Sequence, residues 1–274
     1  MVTSPLPHPI TGQPFPSPVP PGTGWPGDPA TPDTPVAHSA GEVAALAGRA
    51  SSGTDLDAMV SVCRACPRLV AWREEVASTK QRRFLGEPYW GRPVPSLGDQ
   101  RPRVLVIGLA PAAQGGNRTG RMFTGDRSGD WIMAALHRAG YATQAESWAG
   151  GDGLELHGAR IIAPVHCAPP DNKPTPDERA ACGGWMDREL LLAGSAESAL
   201  VLGGIGWQAV HAAAARLGWQ VPRPRVKFGH GAETTFLRDD GTHLRVIGCY
   251  HVSQQNTFTG RLTEAMLDEV IGRL

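Results

Sequence analysis

Four short apolar runs, at 103–109, 160–165, 199–203 and 244–249, constrain this chain more than any other feature. Each is rich in Val, Ile, Leu or Ala and too short to be an amphipathic helix. A continuous apolar run, with no polar residue at every second position, marks a strand buried on both faces. Helical patterns separate the runs at 128–139, 176–193 and 205–217, and a last one covers 262–274. Strands alternating with helices pair in parallel through right-handed crossovers. The expected fold is therefore α/β, a three-layer sandwich with a central four-stranded parallel sheet flanked by helices. With 274 residues and 41% hydrophobic content, the chain can bury one substantial core.

Before the first strand the composition changes twice. Residues 1–36 hold twelve of the 25 prolines and almost no charge. They read as an extended or partly disordered segment, with Phe15 and Trp25 as aromatic anchors for docking. The division expected is a Pro-rich segment over 1–40 and a single domain over 41–274. Helical patterns follow at 41–49 and 55–77, the second carrying Cys63 and Cys66. The net charge is zero, so global charge names no partner. Local basic clusters at 80–83, at Arg118, Arg121 and Arg127, and at 223–227 suit either a solvated surface or a nucleic-acid face. No apolar run approaches the ~20 residues of a membrane span. With no targeting pattern at the start, the expected location is the cytoplasm.

Three of the strand ends carry unusual loops. After 103–107 comes Gly108-Leu-Ala-Pro-Ala-Ala-Gln-Gly-Gly-Asn-Arg-Thr-Gly-Arg-Met-Phe-Thr-Gly-Asp126. Glycines let backbone approach a ligand closely; Asn117, Arg118 and Arg121 can bind polar or anionic groups, and Phe123 can stack on a flat one. After 160–166 comes Cys167-Ala-Pro-Pro-Asp-Asn-Lys-Pro-Thr-Pro176. Its Asn172 can read the edge of a base, or simply make an Asx turn. After 244–250 comes His251-Val-Ser-Gln-Gln-Asn-Thr-Phe-Thr-Gly-Arg-Leu-Thr263. A lone His is commonly structural, but the polar density around His251 points to function. Ligands of open parallel sheets bind at such carboxyl ends.

The chain has five cysteines. Cys63 and Cys66 form a Cys-Arg-Ala-Cys turn; Cys167 and Cys182 lie a hundred residues on, with fourteen residues between them. Four clustered thiolates suit Zn²⁺ or an iron–sulfur cluster, with plain buried thiols as the alternative. Cys249 follows a core strand and reads as a small buried hydrophobe.

The three loops and four cysteines together resemble the uracil-DNA glycosylase superfamily, most closely its type-5 members, over most of residues 55–274. The resemblance implies an enzyme of DNA repair. It would flip uracil, and other deaminated bases such as hypoxanthine or xanthine, out of DNA and hydrolyse the N-glycosidic bond. It implies a [4Fe–4S] cluster on Cys63, Cys66, Cys167 and Cys182. It also assigns roles: His251 bonded to uracil O2, Phe123 stacked on the base, Asn172 reading its edge, and backbone donors from Gly108 onward. Asn117 is the candidate for positioning water, with Asp126 behind it. Arg118, Arg121 and Arg261 are the candidate DNA contacts, with Leu262 bracing the groove. The chain departs from its relatives in two places. Gln114 stands where the family usually has His, and Ala110 where other families keep an Asp or Glu. The expected protein is a monomer, associated with the nucleoid, whose partner is uracil-containing DNA. The reading from a different class is a non-catalytic iron–sulfur protein that captures such DNA.

Overall fold

The structure is a computed structural model and describes residues 3–274. A small antiparallel hairpin comes first, β1 (Leu6–Pro7) with β2 (Pro14–Phe15). Helices α1 (Ala40–Arg49), α2 (Gly53–Ser61) and α3 (Pro67–Thr79) follow. Then come β3 (Leu97–Gly98), β4 (Val104–Ile107), α4 (Gly116–Thr119), α5 (Arg127–Arg138), β5 (Ala159–Ile162), α6 (Pro176–Leu192), β6 (Ser198–Leu202) and α7 (Gly204–Arg216). The chain ends with β7 (Glu233–Leu237), β8 (His243–Cys249), α8 (Gln254–Phe258) and α9 (Glu264–Ile271).

The central sheet has six strands in the order β3-β5-β4-β6-β8-β7, not the four expected. The four expected runs form its parallel centre, β5-β4-β6-β8. The two extra strands pair antiparallel at the edges. Neither carries a continuous apolar run: β7 alternates exposed and buried residues, and β3 is only two residues long. Edge strands face water on one side, so the signal that exposes a buried strand is missing in them.

All four residues of β4 are buried. Val106 packs with Ile132, Met133 and Leu136 of α5 on one face of the sheet, where α9 adds Leu267 and Val270. Leu105 and Ile107 pack with Met186 of α6 and Trp207 and Val210 of α7 on the other. This is the three-layer arrangement.

The helical pattern expected over 55–77 is two helices. Pro67 has no N–H and cannot sit inside a helix, so it opens α3 at the first-turn position after Cys66. The break frees Cys63 and Cys66 from helical geometry. A buried ion triad fixes what surrounds them. Arg160 of β5 donates to Asp57 of α2 at 2.7 Å and to Glu189 of α6 at 2.8 Å. Ser96 adds bonds to both carboxylates. Removing one member of such a triad would leave an uncompensated buried charge, costing about 3–5 kcal/mol. Helices α2 and α6 are thereby pinned to the sheet, and they lead to Cys63 and carry Cys182.

The Pro-rich segment lies on the domain. Phe15 and Trp25 are buried with Trp90. Trp25 Nε1 donates to the Thr119 carbonyl at 3.2 Å, and Asp28 accepts both Arg92 guanidinium nitrogens at 2.9 Å. Among the described residues no helix is long and apolar enough to cross a membrane.

Candidate active site

A cleft of about 600 Å³ opens at the carboxyl ends of β4, β5 and β8. It is walled by the three loops singled out above: Gly108–Ala112 with Phe123 and Asp126, Asp171–Lys173, and His251 with Ser253–Gln255. Phe123, Asn172 and His251, distant in sequence, thus share one space. The parallel sheet brings them together, because every crossover returns the chain to start the next strand from the same edge.

Phe123 is held in an unusual backbone shape, with φ +48°. Non-glycine residues rarely adopt the left-handed region, and such strain costs about 1–3 kcal/mol. Two glycines make room for it. A Cβ on Gly129 would stand 2.3 Å from the Phe123 carbonyl oxygen, and one on Gly108 would press on its ring at 3.3 Å. Asp171 and Asn172, on the facing wall, are left-handed as well, at φ +54° and +55°. Asx side chains tolerate that region best, so this loop costs less. Three left-handed residues around one cleft place the strain where ligand-binding geometry needs it.

His251 is packed below Phe123, their rings 6.5 Å apart and tilted by 37°. Asn256 Nδ2 donates to the His251 carbonyl at 2.8 Å and fixes the loop. Burial of the imidazole lowers its pKa from 6.5 to about 4. The ring is therefore neutral at physiological pH, with one N–H donor and one acceptor nitrogen. Its Nδ1 has no hydrogen-bond partner among the described residues. Asp126 caps α5, accepting from the Gly129 N–H at 2.9 Å, and burial pushes its carboxyl pKa up.

Several expected contacts lie elsewhere. Asn117 is fully buried, and its Nδ2 donates to the Arg73 carbonyl at 3.2 Å. It does not wall the cleft and cannot position water there. Gln114 accepts from the Tyr89 hydroxyl at 2.6 Å and is likewise absent from the cleft wall, so it does not stand in for the family's His. Arg118 is buried, pairs with Glu87 at 2.6 Å and lies over the Phe84 ring. Arg121 forms a two-pronged pair with Asp152 at 2.7 Å. Both arginines brace the loop under Phe123 and are not free for phosphates. Leu262 is fully buried in the core and reaches no groove. Arg261 is exposed, with its guanidinium 4.7 Å from the Tyr250 ring centre. Of the basic cluster in the first loop, Arg127 does reach the cleft wall, and sequence reasoning missed Lys173, which lines it too. The only signal for Lys173 was its position inside the second loop. Ala110 does wall the cleft, and it packs from behind against Leu69, Val165 and Cys167.

Cys63, Cys66, Cys167 and Cys182 line one small space, together with Arg73, His166 and Trp185. Burial raises the thiol pKa of Cys63, of Cys66 to about 12, and of Cys182 well above the ordinary value. Donors nevertheless surround the sulfurs. Cys63 accepts from the Ala65 backbone and the Trp185 side chain, Cys182 from the His166 backbone, and Cys167 from Arg73 at 2.9 Å. Donors aimed at sulfur match thiolates better than thiols. Among the described residues no three His, Cys, Asp or Glu side chains form a group that could hold a metal ion. Cys249 is buried on β8 outside this space, with its thiol at about 12 through burial.

The sequence model of the uracil DNA glycosylase superfamily matches residues 95–274. Proteins from Mycobacterium tuberculosis and Mycobacterium bovis, both called type-5 uracil-DNA glycosylase, are 57% identical to this chain over 264 residues, 96% of each chain. One of the same name from Thermus thermophilus is 49% identical over 212 residues, 77% of this chain and 92% of its own. The cleft walls described above and these likenesses agree: the chain belongs to the type-5 branch of the uracil DNA glycosylase superfamily.

Proposed function

We propose that the chain removes uracil from DNA by hydrolysing its N-glycosidic bond, leaving an abasic site. The observation that carries this is the convergence of Phe123, Asn172 and His251 in one cleft at the strand ends. A base inside a duplex cannot reach them, so the nucleotide must flip out, at a cost of a few kcal/mol that is least for a mispaired base. Phe123 then stacks on the flipped base and Asn172 reads its Watson–Crick edge. As the bond breaks, negative charge builds on the uracil oxygens. The neutral His251 and the backbone N–H groups of the Gly108 loop donate to it, as in an oxyanion hole. Ala110 offers no carboxylate, so departure of the base is largely dissociative. Of the two candidates for positioning water, Asp126 remains, since it walls the cleft and Asn117 does not. The unselective edge reading of one amide supports action on hypoxanthine and xanthine as well. Lys173, Arg127 and Arg261 are the cations available to phosphates, and the protein acts as a monomer on cytoplasmic, nucleoid DNA.

The four cysteines suit a [4Fe–4S] cluster: they line one space, and Arg73 donates to the Cys167 sulfur. A cluster spreads its thiolates wider than a single ion does, so the lack of a single-ion group among the described residues is compatible with it. Bound there, the cluster supplies a covalent cross-link between the 63–66 turn, the 167 loop and α6. It takes no part in the reaction.

Release of free uracil from a labelled duplex tests the reading. Tight binding with no free base would favour capture without catalysis. Asp126→Asn keeps the helix cap, because Asn caps as well as Asp, but removes the charge. It is expected to lower kcat by about 10²-fold, the low end for a positioned acid or base. An unchanged kcat would clear Asp126 of any role with water.

The pH profile follows from His251. Its folded pKa is depressed, so the folded chain takes its proton only near pH 4, while the unfolded chain takes it near 6.5. Excision, read as kcat/KM, should show no inflection from His251 at 6.5 and should fall only on approach to pH 4. The same shift removes stability as pH drops below 6.5, with the loss complete below about 4. An acid limb centred at 6.5 that vanishes in His251→Gln would overturn the neutral-donor role.

A further inference from the structure

One fully buried arginine takes no part in the chemistry above. Arg73 lies on α3 seven residues after Cys66, so two helical turns return it to the same face. Its side chain is 1% exposed. Nη1 donates to Cys167 Sγ at 2.9 Å and Nη2 to the Cys63 carbonyl at 3.1 Å. A guanidinium keeps its charge at every physiological pH, so burial cannot be relieved by losing a proton. A buried charge left without a counter-charge is strongly destabilising. Among the described residues the one carboxylate within ion-pair reach is Glu74, at 4.0 Å. Glu74 is partly exposed and already engaged by Arg64 at 2.5 Å. The groups its fork meets instead are the Cys167 sulfur and the Cys63 carbonyl, on both sides of the cysteine space.

We propose that Arg73 is a positioning and charge-balancing residue for the metal centre, holding the Cys167 sulfur in place as a ligand. The proposal rests on the [4Fe–4S] reading. Hydrogen bonds and positive charge at the sulfurs favour the more reduced, more negative state of a cluster, so Arg73 sets its potential as well as its retention. Arg73 also extends the centre's reach. Its carbonyl accepts from Asn117, and the Asn117 carbonyl accepts from the Gly91 N–H at 2.9 Å. The helix that carries Arg73 is thus tied to the loop that leads to Phe123.

The test uses the full-length protein purified without oxygen, as wild type, Arg73→Gln and Arg73→Lys. Iron per chain, the rate of cluster loss to a chelator and the reduction potential are measured for each. Arg73→Gln should lose its cluster at least about tenfold faster, as loss of an outer-shell partner does, and should be harder to reduce. Arg73→Lys keeps the charge but not the fork that spans Cys167 and Cys63. It should recover most of the potential and little of the retention. Wild-type loss rate and potential in Arg73→Gln overturn the proposal. If Arg73→Gln does not fold, wild-type retention in Arg73→Lys overturns it instead. Failure of both to fold, with a wild type indifferent to iron removal, assigns Arg73 to packing alone and also overturns it. Wild-type protein isolated without iron sinks the cluster reading itself, whatever Arg73 does.

Discussion

Replacing His251 with alanine lowers kcat for uracil release by about 10²–10³-fold, the loss measured when one oxyanion-hole donor is removed. KM should move much less, because the donor's partner is the charge that appears as the bond breaks, and the resting carbonyl is a weaker acceptor. The geometry supports a clean test. The imidazole is neutral, its Nδ1 has no partner among the described residues, and its loop is fixed through the backbone by Asn256, not through the ring. Truncation should leave the fold intact. Single-turnover excision on a uracil duplex gives the number, and duplex affinity from the same samples gives the control. A fall in affinity that accounts for the whole loss would move His251 from the chemistry to base capture. Phe123→Ala should show that opposite pattern, with weakened base capture and a smaller effect once bound.

Replacing Cys167 with serine should remove the iron and lower excision by at least about 10²-fold, the cost of a displacement of about 1 Å in a catalytic group. This second result depends on the cluster reading. Its basis is short: Asn172 follows Cys167 by only five residues, and the loop that starts at Cys167 ends in two left-handed residues, Asp171 and Asn172, that face the cleft. The binding energy of a structural metal is folding energy, so the thermal midpoint should drop along with the iron. Iron analysis, thermal unfolding and excision on one preparation decide it. A serine variant with wild-type midpoint and activity would make the cysteine centre dispensable to the cleft. The packing of Ala110 against the Leu69, Val165 and Cys167 cluster carries a further expectation. A carboxylate at position 110 would be pressed against the apolar back of the cysteine space. Ala110→Asp should destabilise the protein without gaining a general base.

What could be read in the sequence tracks how local its physical signal is. The four central strands were visible because burial on both faces leaves unbroken apolar runs, as in Val104–Ile107. Strands β3 and β7 were not, because an edge strand is half polar. Pro67 breaks the helix expected over 55–77, and that was legible in principle. The hydrophobic periodicity on either side of it masked the break. At the site, Phe123, Asn172 and His251 stood at strand ends, and strand ends of a parallel sheet converge. The arginines of the first loop could not be sorted this way. Arg118 and Arg121 find their carboxylates at Glu87 and Asp152, 31 residues before and after. No feature of the loop itself announces those partners. Arg73 looked like any helix arginine until Cys167 arrived beside it from 94 residues away.

The way the Pro-rich segment lies on the domain separates two lengths that are easily confused. The stretch that identifies the family runs from residue 95 to the end. The stretch that holds itself together is longer. A chain cut at 95 would lose Cys63, Cys66 and the Arg73 that spans both halves of the centre. It would also lose Trp25, whose indole lies against the turn at Gly120, and the Asp28 and Arg92 pair. For anyone shortening this protein, or transplanting its motifs into another scaffold, the stretch that marks the family is therefore shorter than the stretch that must be kept.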